Sequence, residues 1–383
     1  MSGPVYLDHA ATTPLDPRVR EAMLAQLGAA PGNPSATHAA GRAVRTAIEQ
    51  ARAEVAALIG APAASIVFTS GATEADNLAI LGAARGNAER GRHLVSVRTE
   101  HRAVLDPLAR LGREGFAVTL LAPSPDGLLD PAALRAALKP GTTLASVMLV
   151  NNETGVVHDI AALARECRAR GVLLHVDAAQ AAGRVPIDVA ALDVDLLSLS
   201  AHKIHGPSGI GALYVRRTPR PALVPLAFGG GQEGGLRPGT LPAHQIVGMG
   251  AAFRIAAAEG AAESQRLAEL ARRLWAGLAP LGGVYLNGHP TRRAPHIVNV
   301  SFEGVDGEAL IAELEGLTVA SGAACSAESG EPSYVLRALG RPDPLAQASL
   351  RLSLGRTTSA ADVEAAIVAI GEGVRRLRRI APA

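Results

Sequence analysis

Seven short apolar runs alternate with longer amphipathic stretches over the first part of the chain: IVFTS from 66, HLVSV from 93, AVTLLA from 117, TLASVMLV from 143, VLLHV from 172, DLLSLS from 195 and ALYV from 212. Each has the length of a strand, and most are β-branched and apolar on both faces, as strands covered on two sides must be. The stretches between them, such as AVRTAIEQARAEVAALIG, place apolar residues at helical spacing. Strand and helix in alternation predict crossover connections, so the expected fold class is α/β, with a mainly parallel seven-stranded sheet between two layers of helix.

At 383 residues the chain is long enough for two cores. After the glycine-rich GGGQEGGLRPGT, a helical stretch from about 244 to 280 leaves the sheet pattern. The signals beyond it alternate: VYLNG, HIVNVSF, LTVASG and SLRLSLG, interleaved with helices beginning near Asp306 and Pro332. The expected division is a large domain over 15–255 and a smaller α+β domain over 256–383, completed by residues 1–14. Lys plus Arg number 37 against 35 Asp plus Glu, so no field draws the chain to nucleic acid or to an anionic membrane. The opening MSGPVYLDHAATTP has no basic segment followed by an apolar run, and no stretch nears the roughly 18 apolar residues of a membrane span. A soluble, cytoplasmic protein is expected, with neither nucleic acid nor membrane as partner. Only Cys167 and Cys325 are present, which allows at most one disulfide and no cysteine-rich metal site; no metal is expected.

The chemistry concentrates where the runs end. In VDAAQAAGRVPIDVAALDVDLLSLSAHKIHGP, Asp177 closes one apolar run, while Ser200, His202 and Lys203 follow another. A lysine amine forms a Schiff base with an aldehyde cofactor, and a carboxylate at the end of a buried strand can keep a pyridine nitrogen protonated. Ser200 and His202 offer donors for a phosphate. Asp177 alone reads as a helix cap and Lys203 alone as a solvated charge; together, each behind an apolar run, they point to pyridoxal phosphate. TSGATEADN sets small residues and Thr73 between a strand and a helix, where backbone N–H groups can face the same phosphate; taken alone it is an ordinary capped helix start. His101, in RTEHRAV, is placed to stack on the ring and move protons, against the plainer role of a loop histidine. Asn152, in VNNETGVV, is placed to contact a cofactor oxygen or a substrate carboxylate, against that of a turn residue. Ligands of such sheets gather beyond the carboxyl ends of the strands, where all of these fall.

Cys325 lies in LTVASGAACSAESGEP, a run of small residues without a hydrophobic face, expected to be a mobile loop. Cys167, in the helix ARECRARG, reads as structural. Cys325 is therefore the nucleophile candidate, needing a base or positive charge to act as thiolate at neutral pH. Arg351, in SLRLSLG, can clamp a substrate carboxylate with its two-bonded fork, unless it is an edge-strand arginine in water.

YLDHAATTP, GNPSATH, FTSGATEADNLAI, RTEHRAVL, VNNETGVV, HVDAAQ, SAHKIHGPSGIGALYVRR, RPGTLPAHQIVGMG, SGAACSAES, EPSYVLRALG and SLRLSLGR together resemble the pyridoxal-phosphate cysteine desulfurases of the NifS/IscS type, in the class V aminotransferase family. The likeness spans nearly the whole chain. It implies a fold-type I enzyme, a homodimer, that converts L-cysteine to L-alanine and hands the sulfur to an acceptor protein, for iron–sulfur cluster assembly or thiolation. By position it makes Lys203 the Schiff-base lysine, Cys325 the persulfide carrier, His101 the stacking and proton-transfer residue, Asp177 the pyridinium contact and Gln180 the contact to the phenolic oxygen. Ala72, Thr73, Ser200 and His202 would hold the cofactor, Asn152 would touch it beside the substrate, and Arg351 would take the substrate carboxylate. Thr240 would reach the phosphate of the neighbouring subunit. The freed lysine would then remove the α-proton, and the Cys325 thiolate would attack the substrate sulfur and keep it as a persulfide.

Two departures stand out. Relatives commonly carry arginine where this chain has Gly234, and the chain ends soon after GEGVRRLRRIAPA, without the longer tail some relatives use to dock a scaffold. Rival readings are a selenocysteine lyase or another β-eliminating lyase on the same scaffold, a non-catalytic sulfur carrier or interaction scaffold, and a thiol hydrolase built on Cys325 and His101; the last leaves Lys203 and Asp177 unexplained.

Overall fold

The computed structural model describes residues 4–321 and 331–380. The chain opens with β1 (Val5–Tyr6), then lays down β2 (Ile66–Thr69), β3 (His93–Val97), β4 (Ala117–Leu121), β5 (Thr142–Ser146), β6 (Leu173–Asp177), β7 (Leu196–Ser200) and β8 (Gly211–Val215). After the long helix Ala243–Leu278 come β9 (Val284–Leu286), β10 (Ile297–Phe302), β11 (Leu317–Thr318), β12 (Ala320–Ser321) and β13 (Ser349–Ser353).

Strands β2 to β8 are the seven runs read from the sequence. They form one sheet in the order β2-β8-β7-β6-β5-β3-β4. The pairs β3–β4, β3–β5, β5–β6 and β6–β7 are parallel, and β8 runs antiparallel to both its neighbours, so the sheet is mainly parallel as expected. The run from 143 gives a shorter strand than its apolar length suggested: β5 ends at Ser146, and beyond it Val147 N and Leu149 N still donate to β6, at His175 O and Asp177 O, while Met148 N turns to Glu100 Oε1.

Alternation along each strand divides the core. Val95, Val97, Leu174, Val176, Leu197 and Leu199 face a core shared with the helix Ala39–Leu58, while Leu94, Leu144, Leu196, Leu213 and Val215 face one shared with the helices Ala72–Gly86 and Arg102–Arg113. Val44, Ile48, Ala51 and Val55 form one apolar stripe on Ala39–Leu58, which packs against the long helix.

A second core gathers Leu267, Leu270, Leu274 and Leu278 of the long helix with Val298, Val300, Leu350, Leu352 and the helix Ala360–Ile380. Its antiparallel sheet runs β12-β13-β10-β9. The N-terminal segment joins it: β1 pairs with β11 in parallel, and Asp8 bridges to Ser353. Short helices begin where their caps stand, Asp306 accepting from Ala309 N and Ser333 from Leu336 N. No described helix is long and apolar enough to cross a membrane.

Candidate active site

The carboxyl ends of β2, β3, β5, β6 and β7 open on one edge of the large sheet, and a cavity of about 430 Å³ lies there. Every strand that reaches it contributes chemistry.

Behind β2, the chain turns through Ser70 and Gly71 into the helix Ala72–Gly86. Among the described residues no side chain caps this helix; Gly71 is the cap residue, so the first-turn N–H groups at Ala72 and Thr73 face the cavity. The turn lies so close to β8 that a Cβ on Gly211 would meet the Gly71 carbonyl carbon at 2.6 Å, and only glycine fits there.

Behind β3 comes His101, cap of the helix Arg102–Arg113. Its Nδ1 accepts from Ala103 N at 3.1 Å, which puts the proton of the neutral ring on Nε2. Burial lowers its pKa, Asp177 acts to raise it and Lys203 to lower it further. Asn152, after β5, is buried, and its Oδ1 has no hydrogen-bond partner among the described residues.

At the end of β6, Asp177 is buried and accepts from Ala179 N at 2.9 Å. Burial pushes its carboxyl up to about 6, with the neighbouring Asp76 as the next cause. Gln180 donates from Nε2 to Ala10 O at 2.8 Å, drawing the N-terminal segment over the cavity. At the end of β7 stand Ser200, His202 and Lys203, all lining the cavity. His202 Nδ1 meets Thr12 Oγ1 at 3.1 Å, and burial followed by Lys203 lowers its pKa to about 4, so the ring is a neutral hydrogen-bonding group at physiological pH.

Nine of the residues read from the sequence thus share one cavity: Ala72, Thr73, His101, Asn152, Asp177, Gln180, Ser200, His202 and Lys203. Arg351 stands beside it rather than in its wall. It is no edge-strand arginine: β13 lies between β12 and β10, and the side chain is buried, with Nη1 donating to Asn152 O at 3.1 Å and Nη2 paired with Asp8 Oδ1 at 2.8 Å. Thr240 is exposed and does not line this chain's cavity. Cys325 lies outside the described residues. Cys167 is buried in its helix, its thiol pushed up to about 12 by burial, which makes it inert as a nucleophile at neutral pH.

The residues fit pyridoxal phosphate. An uncapped helix start beside Ser200 and His202 suits a phosphate, a buried carboxylate suits a pyridine nitrogen, the unpartnered Asn152 amide oxygen awaits a donor, and Lys203 lies in the same cavity.

Sequence reasoning passed over three acidic residues of the site. Asp76 lines the cavity, Glu100 is buried behind His101 with Oε1 accepting from Met148 N at 2.7 Å, and Asp8 holds Arg351. Asp76 had a signal: it is the one charged residue on the buried stripe formed by Ala75, Leu78 and Ala79. The pairing of Asp8 with Arg351 spans 343 positions and had none.

Residues 5–366 match the family described as Aminotransferase class-V. The chain is 56% identical over its full 383 residues, and 95% of the relative's length, to the cysteine desulfurase IscS of Methylococcus capsulatus. It is 52% identical, again over all of the chain and 95% of the relative, to the cysteine desulfurase IscS of Escherichia coli. Among solved structures it is similar to a NifS-like protein, with a TM-score of 0.91 at 32% identity, 97% of this chain and 100% of that one being covered. With the sheet, the cavity and this likeness along the whole length in agreement, the chain belongs to the class V aminotransferase family, among its NifS/IscS-type cysteine desulfurases.

Proposed function

We propose that the protein is a pyridoxal-phosphate-dependent cysteine desulfurase that converts L-cysteine to L-alanine and passes the sulfur, as a persulfide on Cys325, to an acceptor protein. The observation that carries this is the meeting of Asp177, Lys203, His101 and an uncapped helix start in one cavity, in a chain 56% identical to a cysteine desulfurase.

When bound, pyridoxal phosphate supplies an electron sink next to the substrate's α-carbon. This chain's residues do the rest. The first turn of Ala72–Gly86 with Thr73, Ser200 and His202 would hold the phosphate, Asp177 would balance the charge on the ring nitrogen, and Gln180 would contact the phenolic oxygen. Lys203 would take the α-proton, and His101, its Nδ1 committed to Ala103, would hold or move a proton at Nε2. Arg351 and Asn152 orient the substrate carboxylate, with Asp8 occupying part of the Arg351 fork until substrate arrives. The thiolate of Cys325 attacks the substrate sulfur; the Cβ–S bond breaks, its electron pair stays with carbon, which takes up a proton, and an S–S bond forms on the enzyme. Atoms balance as cysteine plus thiol giving alanine plus persulfide.

A homodimer accounts for Thr240 lying on the surface away from its own cavity, to serve a second copy's phosphate, and for the exposed Phe228 and Leu226 on the same stretch of chain. The acceptor belongs to iron–sulfur cluster assembly or a thiolation route, and the cytoplasm is the expected compartment.

The test is alanine and sulfide release from L-cysteine with reductant present. Cys325→Ala should abolish sulfide release while keeping the visible absorbance of bound cofactor, and Cys167→Ala should keep both; inactivation by Cys167→Ala alone would refute the choice of nucleophile. Lys203→Ala should lose the visible band, and an unchanged spectrum would refute the Schiff-base assignment.

A further inference from the structure

One step beneath the cavity, the sheet interrupts its own apolar pattern. On the face that meets the helix Ala72–Gly86, Leu94, Leu144, Leu173 and Leu196 form a leucine layer. Two residues further along the same four strands stand Ser96, Ser146, His175 and Ser198, all 0% exposed. Two further again lies the cavity, with Asp177 and Ser200 in its wall. A full polar layer between leucines and a binding site costs stability that valine or leucine would not, so it calls for a chemical reason.

The layer is connected. Ser96 Oγ donates to Ser146 O at 2.8 Å, Ser146 Oγ lies 2.8 Å from His175 Nδ1, and His175 Nε2 lies 3.0 Å from Ser198 Oγ. The facing helix supplies its end: Asp76 Oδ1 stands 3.4 Å from His175 Nε2. That residue is 1% exposed, it lines the cavity with Asp177 and Lys203, and its Oδ1 accepts no hydrogen bond among the described residues. Ser198 is also the register partner of Asp177 on the neighbouring strand, so the row runs from Asp76 to the residue pair that carries the proposed nitrogen contact.

We propose that Asp76, through Ser198 and His175, is a second carboxyl that sets the charge carried by Asp177 and so the protonation of the ring nitrogen held there. This rests on the cofactor reading above and makes Asp76 a positioning residue for that reaction.

Two carboxyls in one dry volume do not ionise independently: each raises the other, and a proton or an arriving cation decides the balance. Burial pushes Asp76 up to about 7, with Ser198 and Lys203 drawing it back, while Asp76 is the charge that most raises Asp177. The other groups that face the pair are Glu100 and His101 behind β3, His175 on β6, and Lys203 behind β7. His175 is fully buried and its pKa falls to about 4, so it bridges as a neutral ring, donating from one nitrogen and accepting at the other. With the site empty, a proton shared by Asp76 and its neighbours spares the fold a second buried charge. With a cationic ring in place on Asp177, both carboxyls ionise, and the negative charge of Asp76 strengthens the hold on that cation.

The test uses the holoenzyme. The visible band of the cofactor on Lys203 is titrated with pH in wild type, Asp76→Asn and Ser198→Ala, and pyridoxal phosphate is returned to each apoprotein to measure its affinity. Asp76→Asn, equal in volume and without the charge, should lower the midpoint of the titration by about one pH unit and weaken cofactor binding about tenfold. Ser198→Ala should shift the midpoint the same way by less. A wild-type band with midpoints unchanged in both variants overturns the role of Asp76 alone. A wild type without the band overturns the cofactor reading, and the proposal with it. Should Asp76→Asn fail to fold, an unshifted Ser198→Ala is enough to overturn it.

Discussion

The imidazole of His101 closes the first turn of its helix through Nδ1 and keeps Nε2 for the cavity. The two jobs can be separated. His101→Ala should lose about 1 kcal/mol of stability with the cap, while His101→Asn, itself a good cap, should lose only a few tenths in urea unfolding. Both should lose activity on cysteine by about a hundredfold or more, because neither can carry the proton. A second residue gives a pH signature. Glu153 is buried with Oε2 accepting from Ser333 Oγ, and burial raises its carboxyl from 4.5 to about 7. Its folded pKa lies above its unfolded one, so the fold favours the protonated form and loses that advantage as pH rises from the unfolded value through the folded one. Glu153→Gln does not titrate; its stability relative to wild type should therefore improve by about 2–3 kcal/mol between pH 5 and pH 8. Improvement toward low pH instead would reverse the sign of the shift. Residues such as His101 and Asp177 were legible because they follow apolar runs at fixed places in recognisable strings. Glu153 was not, since it stands in a turn beside Asn152 and its burial comes from Ser333, 180 positions away.

At the scale of elements, the seven strands were readable from apolar length and branching alone, but the sealing of the sheet's edge was not. Strand β2 lies at that edge, and its outward N–H at Phe68 is met by a carboxylate from the glycine-rich segment: Glu233 Oε2 accepts from Phe68 N at 2.7 Å. The same carboxylate takes Arg52 Nη1 at 2.7 Å and Nη2 at 2.8 Å, and Arg52 Nη1 also donates to Ile66 O at 2.9 Å. An open strand edge is thus capped by an ion pair, and the segment leading to Thr240 is pinned to the sheet. Both side chains are buried, so Glu233→Ala, which leaves the guanidinium with the exposed Glu49 as its remaining counter-charge and Phe68 N without its acceptor, should cost about 2–3 kcal/mol in denaturant unfolding. Removing the cation as well, by adding Arg52→Met, should restore part of that loss; a double variant worse than the single one would show that the pair is not what holds the edge. The sequence shows a glycine-rich stretch around Glu233, broken only by the neighbouring Gln232, and its partner strand lies 165 positions earlier.

Across the whole molecule, the helix Ala243–Leu278 belongs to both cores. Ile246 to Ala256 pack under the large sheet, and Leu267 to Leu278 pack against β10 and the helix Ala360–Ile380. Its extent was legible almost to the residue, because apolar spacing continues without an internal proline. The change of partner falls midway, between Ala256 and Leu267, although both halves carry the same apolar spacing. Where the change occurs, Glu263 pairs with Arg184 and with Arg356, and Arg356 with Asp16, tying the N-terminal segment into the junction. The first turn of the helix touches the cavity wall, Gln245 Nε2 donating to Ser208 O at 3.0 Å. This rod of 36 residues, about 54 Å long, is seated in a core at either end, so the two cores share one continuous element and neither can lose its packing along it without unseating a helix that the other also needs.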